Sequence, residues 1–388
     1  MTNSAANYCG QYKNELLENI LPFWQKNSVD QKHGGFFTCL LQDGTVFDTD
    51  KFIWLQARQV WTYSMLYNRL EQRQEWLDMA LHGSRFLEQY GRDSNGSWYF
   101  SLDQYGQPLI QAYNIFSDCF ATMAFGQLYQ ATQVERYAQI AKTTFEKILK
   151  RQDNPKGIYT KAVAGTRPLQ NFALPMILCN LALEIEHLLE ADLVQKTIDH
   201  CIHLVMDTFY DKNSGLTLEN VDLDGQLSDS FEGRLLNPGH AIEAMWFIMD
   251  LGVRMQNTAL IEKAKDRMLF MLEYGWDQEM GGIYYFLDRK GYPPQQLEWN
   301  QKLWWVHLET LVALLKGFQH TKDQRCWTWF ERVHEYTWKN FADPNYGEWL
   351  GYLQRDGSPL MTLKGGKWKG CFHVPRGLFQ CWKTLETI

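Results

Sequence analysis

The sequence has no Cys-x-x-Cys pair, no run of like charge and no long apolar stretch, and each absence removes a class of protein. Eight cysteines, at 9, 39, 119, 179, 201, 326, 371 and 381, are scattered through 388 residues. That spacing fits neither a disulfide framework nor a zinc site, and they read as reduced thiols, mostly in the core. The longest uncharged apolar-rich run, residues 171–183, falls far short of the roughly 20 residues that span a bilayer. The opening MTNSAANYCG lacks the cationic flank and apolar segment of a leader, so a cytoplasmic protein with no membrane association is expected. Lys plus Arg total 38 against 45 Asp plus Glu, a net −7 without a basic tract, which argues against nucleic acid as a partner. Glycine and proline are modest at 28 and 11, and with 45% hydrophobic residues the disordered and collagen-like classes are excluded. His-Glu-x-x-His, Gly-x-Ser-x-Gly and the dinucleotide fingerprint are all missing, so no metal is expected.

What is abundant is aromatic: 16 Trp, 19 Tyr and 22 Phe, enough to fill a large core and to line a concave apolar site with rings. A glycine-punctuated segment also recurs, at residues 33–44, 95–106, 156–160, 214–225, 280–291 and 346–357. Taking Gly35, Gly96, Gly157, Gly215, Gly282 and Gly347 as markers, the intervals are 61, 61, 58, 67 and 65 residues. In five copies a second glycine follows nine or ten residues after the first, with strand-favouring residues between, which predicts a small β-hairpin. The third copy lacks its second half.

Before each loop lies a stretch with apolar residues at spacings of three and four, predicting amphipathic helices over 11–25, 75–90, 135–149, 193–209, 259–274 and 326–341. After each loop comes a run apolar nearly all round, at 52–66, 113–129, 172–185, 240–255, 303–318 and 374–387, and such a helix must be buried on nearly all sides. Six exposed and six buried helices close naturally into a ring within a ring. The expectation is an all-α (α/α)6 barrel of six helix–hairpin–helix repeats, one catalytic domain over 1–388.

In such a barrel the site lies where the loops meet the inner-helix starts. There Asn237-Pro238-Gly239-His240 reads as a capped helix start with His240 and Glu243 on one face, and His373 and Arg376 repeat that spacing in the sixth unit. Arg58, Glu243, Glu309 and Arg376 stand at similar depth in their repeats, separated by 185, 66 and 67 residues. Buried Arg–Glu pairs and lone histidines commonly serve structure alone. Four charges in register on buried helices, with two histidines at helix starts, point instead to a common axial cavity. Two histidines approaching one ligand from different directions suit proton removal on one face and delivery on the other. An open-chain sugar, whose C2 proton is acidified by the C1 carbonyl, fits that chemistry, with Arg58 and Arg376 stabilising the enolate, Glu243 and Glu309 holding hydroxyls or tuning the imidazoles, and Trp faces packing on the sugar. His200 and His203, on an outer helix, read as surface residues.

The segments Pro238-Gly239-His240-Ala-Ile-Glu243, Trp304-Trp305 to Glu309 and Phe372-His373-Val-Pro375-Arg376 resemble motifs of the N-acylglucosamine 2-epimerase superfamily, and the likeness runs over essentially the whole chain. Cellobiose 2-epimerases and mannose isomerases in that superfamily are similar but usually carry Asn-x-His-x-x-Glu on the third inner helix. Residues 171–178 here read Asn-Phe-Ala-Leu-Pro-Met-Ile-Leu and resemble instead the N-acetylglucosamine 2-epimerases. The resemblance implies interconversion of N-acetylglucosamine and N-acetylmannosamine, with His240 and His373 as the acid/base pair and Arg58, Glu243, Glu309, Arg376 and Trp304 around the substrate. It also implies a homodimer activated by ATP that is not consumed, with no cofactor for the chemistry itself. The most basic glycine-containing loop, with Lys156, Gly157, Lys161, Gly165 and Arg167, is the nucleotide candidate, although it is not a P-loop. A glycoside hydrolase using Glu243 and Glu309, and a binding protein with no use for the histidine pair, are the rival readings.

Overall fold

The computed structural model describes residues 2–161, 163 and 165–388. Helix α1 runs Thr2–Asn14 and continues through a π-helical stretch, Glu15–Ile20, into Leu21–Asn27. It is followed by α2 (Ile53–Arg69), α3 (Gln74–Tyr90), α4 (Ile115–Thr132), α5 (Glu135–Arg151) and α6 (Ala173–Ile185). Then come α7 (Ala191–His203, extended by Leu204–Thr208), α8 (Pro238–Arg254), α9 (Thr258–Gly275), α10 (Trp304–Thr321), α11 (Gln324–Asn340) and α12 (His373–Leu385). Odd-numbered helices are outer and even-numbered ones inner.

The burial pattern explains the division. On outer α5 the buried residues Tyr137, Ala138, Ala141, Thr144, Phe145 and Ile148 recur at three and four and form one stripe. Inner α4 buries Ile115 and every residue from Ser117 to Leu128, so it needs neighbours on all sides. Those neighbours are the adjacent inner helices, in the order α2, α4, α6, α8, α10, α12. The ring closes between its ends: Thr62 donates to the Cys371 carbonyl at 2.8 Å, and Trp61 packs on Phe372 with ring centroids 5.1 Å apart. Outer α1 then covers α12 and α11, where the Tyr12 hydroxyl meets His334 Nδ1 at 2.9 Å. An α/α barrel results. All eight cysteines are free thiols, seven of them buried, and no helix among the described residues is long and apolar enough to cross a membrane.

At one end of the barrel the loops stitch neighbouring repeats together. The strand before an inner helix pairs antiparallel with the loop strand of the next repeat, as in Lys51–Phe52 with Ser101–Leu102, Leu169–Asn171 with Asn220–Asp222, Leu235–Leu236 with Leu287–Asp288 and Lys302–Leu303 with Tyr352–Leu353. The first inner-helix N–H groups extend the pattern, Ile53 donating to Phe100 O at 2.9 Å and Trp304 to Gly351 O at 3.1 Å. The expected hairpins form in the first, second and sixth loops. The fourth and fifth form no return strand, which corrects the sequence expectation. In the fourth, Ser230 caps a one-turn helix, Phe231–Arg234, directly after the turn. In the fifth, Pro293 and Pro294 have no N–H to give to a ladder. The third copy winds into a short 3-10 turn, Gly157–Tyr159.

The turn after each full loop strand demands a left-handed residue, and Gly44, Gly106, Gly225, Gly291 and Gly357 supply it with φ between 76° and 88°. Behind the rim, three repeats share a buried ion pair that ties the loop to the segment entering the inner helix: Lys51–Asp30 at 2.8 Å, Lys302–Asp277 at 3.1 Å and Lys364–Asp343 at 2.7 Å. Removing one member strands the other charge in the interior. Lys51→Met is therefore expected to lower stability by about 3–5 kcal/mol, read as a fall in the denaturant midpoint at unchanged slope.

Candidate active site

The inner helices begin at the rim, so the residues of their first turns face one another across the barrel end. Asn237 caps α8 by accepting from His240 N at 3.1 Å, and Pro238 occupies the first turn, where its missing N–H costs nothing. Gly239 follows because a methyl group there would come within 2.7 Å of the Trp305 ring. Trp305 lies against both candidate histidines, with ring centroids 5.4 Å from His240 and 5.9 Å from His373. His240, Trp305 and His373 border a cavity of about 520 Å³.

Each imidazole is held by a carboxylate. His240 Nδ1 lies 3.1 Å from both oxygens of Glu219, and His373 Nδ1 lies 2.7 Å from Glu309 Oε1. A carboxylate only accepts, so Nδ1 carries the hydrogen in both rings, and Nε2 is left without a protein partner among the described residues. The carboxylates differ in what else holds them. Glu309 accepts from Arg376 Nη2 at 2.7 Å and from Trp246 Nε1 at 3.0 Å, whereas among the described residues Glu219 has only the Asn171 amide, at 3.5 Å, as a further side-chain partner. Arg376 donates in addition to Glu243, so one guanidinium spans both inner-helix carboxylates.

That difference sets the protonation states apart. Burial works against a charge on His240, but the Glu219 charge and hydrogen bond, with Glu243 adding, leave its pKa above the usual histidine value. His373 is held well below that value, by burial first and then by the Arg58 and Arg376 guanidinium groups. Two imidazoles poised in opposite directions are the arrangement of an acid and a base.

Arg58 supplies a free cation. Its guanidinium is packed by the rings of Phe120, Trp54 and Phe372, at 3.9, 4.4 and 4.6 Å from their centroids, and its side chain has no ion-pair or hydrogen-bond partner among the described residues. Burial and the nearby Arg376 pull its pKa down to about 9. A buried donor left empty by the protein awaits an oxygen from a ligand. The indole N–H groups of Trp54 and Trp304, on the same cavity wall, are also buried without a partner.

Of the residues expected from the sequence, Arg58, His240, Glu243, Trp304, His373 and Arg376 all line the cavity. Glu309 is placed differently: it is fully buried behind the wall and acts on His373 and Arg376 rather than on the cavity. Lys156, Lys161, Gly165 and Arg167, with half-buried Gly157, form an exposed loop outside the cavity, and residues 162 and 164 of that loop lie outside the described residues. Glu243, Glu309 and His373 are close enough to share a cation, but the Arg376 guanidinium already sits on both carboxylates. Glu219 is not among the residues expected from the sequence, because it lies in the fourth glycine loop, whose pattern predicts only a β-hairpin. Its signal is register: four residues after the first glycine, the first, second, fifth and sixth loops carry Cys39, Phe100, Phe286 and Gly351, and only this loop carries an acid.

Residues 35–375 match the family model described as N-acylglucosamine 2-epimerase (GlcNAc 2-epimerase). The N-acylglucosamine 2-epimerase of Mus musculus is 40% identical over 96% of this chain and 90% of its own length. The cellobiose 2-epimerase of Bacteroides fragilis is 27% identical over 94% of this chain and 96% of its own. Among solved structures, cellobiose 2-epimerase from Bacillus thermoamylovorans B4167 superposes with a TM-score of 0.85 over 99% of this chain and all of that one, at 22% identity, and shares the fold.

For an acid/base pair of protonated His240 and neutral His373, activity is expected to fall as pH rises through the elevated His240 pKa. Glu219→Gln removes the charge that raises it. The alkaline limb of kcat/KM is therefore expected to move to lower pH in Glu219→Gln, while the acid limb stays where it is; an unmoved alkaline limb assigns it to another group.

Proposed function

The chain belongs to the N-acylglucosamine 2-epimerase family, and from that footing we propose that it is an isomerase interconverting N-acetyl-D-glucosamine and N-acetyl-D-mannosamine. The observation that carries the reading is the pair of carboxylate-held imidazoles with free Nε2 atoms, bordering one cavity with an unpartnered arginine. The sugar reacts in its open-chain aldehyde form. Neutral His373 Nε2 takes the C2 proton, and the C–H electron pair moves into the C1–C2 bond as the carbonyl oxygen gains charge. Arg58 donates to that oxygen, and its packing by three rings keeps water from competing. Protonated His240 returns a proton to the opposite face of C2, which inverts that centre. Afterwards His373 is protonated and His240 neutral, so the reverse reaction runs through the same two groups.

Two features weigh against a glycoside hydrolase on this barrel. Its carboxylate pair would be Glu243 and Glu309, and Arg376 bridges both while Glu309 stands outside the cavity. The proposal extends to a cytoplasmic homodimer acting on a small amino sugar, and the eight free thiols suit a reducing compartment. It extends also to ATP as an activator that is not consumed. Lys156, Lys161 and Arg167, with left-handed Gly157 and Gly165 between them, supply the cations and turn N–H groups that a polyphosphate uses. A nucleotide held there would stay outside the cavity.

Incubation with N-acetylmannosamine in deuterium oxide is expected to give N-acetylglucosamine with deuterium at C2; release of a sugar from a disaccharide without C2 exchange would favour the hydrolase. His240→Ala and His373→Ala are each expected to lower turnover by about 10²- to 10⁴-fold, and either variant retains at most C2–H exchange of a single epimer. Arg58→Lys keeps the charge but loses the planar fork, so kcat should fall more than KM rises. Lys161→Ala with Arg167→Ala should weaken ATP activation and leave the nucleotide-free rate near wild type; activation persisting at the same ATP concentration would place the nucleotide elsewhere.

A further inference from the structure

The cavity is chemically lopsided. Its titratable lining side chains with a charge or an imidazole come from α2, α8 and α12 and from the fifth loop, as Arg58, His240, Glu243, Glu298, His373 and Arg376. Between Arg58 and His240, going round the ring, stand α4 and α6, and they contribute only Phe116, Phe120, Ala173, Met176 and Ile177. No side chain of this sector carries a nitrogen or an oxygen. A sugar hydroxyl turned towards it would lose its hydrogen bonds to water and gain none.

We propose that this sector of α4 and α6 is the subsite for the acyl chain of the substrate, built from Phe116, Phe120, Ala173, Met176 and Ile177. The inference rests on the amino-sugar reading above and adds where the acyl group goes. The amide nitrogen is bonded to C2, one carbon from the carbonyl that Arg58 holds. Arg58 packs its guanidinium 3.9 Å from the Phe120 ring centroid, so a ligand oxygen on Arg58 brings the C2 substituent to the edge of the wall that Phe120 begins. The wall is firm: Phe120 and Met176 are each 2% exposed, and Ile177 is 8% exposed. Ala173, the smallest member, leaves the space into which the chain extends. Preference for acyl length is then a property of these five side chains, separate from the groups that move the proton.

The test compares kcat/KM for N-acetyl- and N-butanoylmannosamine in wild type, Ala173→Leu and Met176→Ala. A methylene in an apolar pocket is worth about 10- to 200-fold in discrimination, so filling the wall in Ala173→Leu is expected to lower the butanoyl-to-acetyl ratio by about 10-fold or more. Opening it in Met176→Ala is expected to raise that ratio several-fold. The ratio is internal to each variant, so it is readable at reduced activity, and Met176→Ala decides alone should Ala173→Leu fail to fold. Ratios staying within about twofold of wild type, with N-acetyl substrate still turned over, overturn the subsite and leave the epimerase reading standing. Wild type that exchanges the C2 proton of neither amino sugar overturns both.

Discussion

Arg376 sets one guanidinium between two buried carboxylates, Glu243 and Glu309, that would otherwise stand in the wall without a cation. The rest of the site depends on that bridge. The hydrogen bond from His373 to Glu309 fixes the ring's orientation and tautomer, while burial and then the Arg58 and Arg376 guanidinium groups hold its pKa well below the usual histidine value. Because Glu219 meets no guanidinium, its charge acts on His240 and keeps that ring ready to donate. Two histidine–carboxylate pairs of similar geometry thereby acquire opposite habits. Arg58, left without a partner among the described residues, stands beside them as the donor proposed to meet charge developing on a substrate oxygen.

Much of the architecture was legible because each repeat states the same three facts: an amphipathic stripe, a left-handed glycine turn and an apolar helix. Residues 75–90 were expected as a helix and form Gln74–Tyr90; 304–321 form a helix where 303–318 was expected. Legibility failed where one local rule met another. The first outer helix was expected from residue 11 and begins at Thr2, since its early residues have little periodicity of their own and are held by packing on α12. The fourth and fifth loops carry the hairpin glycines, yet a Ser230-capped turn and the Pro293-Pro294 pair divert their return strands. Their first strands survive by pairing with the neighbouring repeat, a partner 49 to 53 residues away that no local pattern names.

The site was readable to the extent that its residues sit on inner helices in register, which brought Arg58, Glu243, His240, His373 and Arg376 to one cavity. Depth along a helix does not tell which way a side chain turns. Glu309 shares the register but points behind the wall, towards His373, Arg376 and Trp246. Glu219 is the reverse case, a loop residue with no helical register that reaches His240 because the strand after it, Asn220–Asp222, pairs with Leu169–Asn171, ahead of α6. The apolar sector was invisible because an all-apolar helix start looks the same whether it packs on a neighbour or borders a cavity.

The account turns on two imidazoles whose protonation states differ at neutral pH. Nitrogen-15 NMR of histidine-labelled protein, with signals assigned through His240→Gln and His373→Gln variants, measures this directly. His373 is predicted to remain neutral across the neutral range with its hydrogen on Nδ1, while His240 titrates above the ordinary histidine value. A His373 ring that becomes cationic at or above the pH at which His240 does so would contradict the division of acid and base set by Arg376 and Glu219.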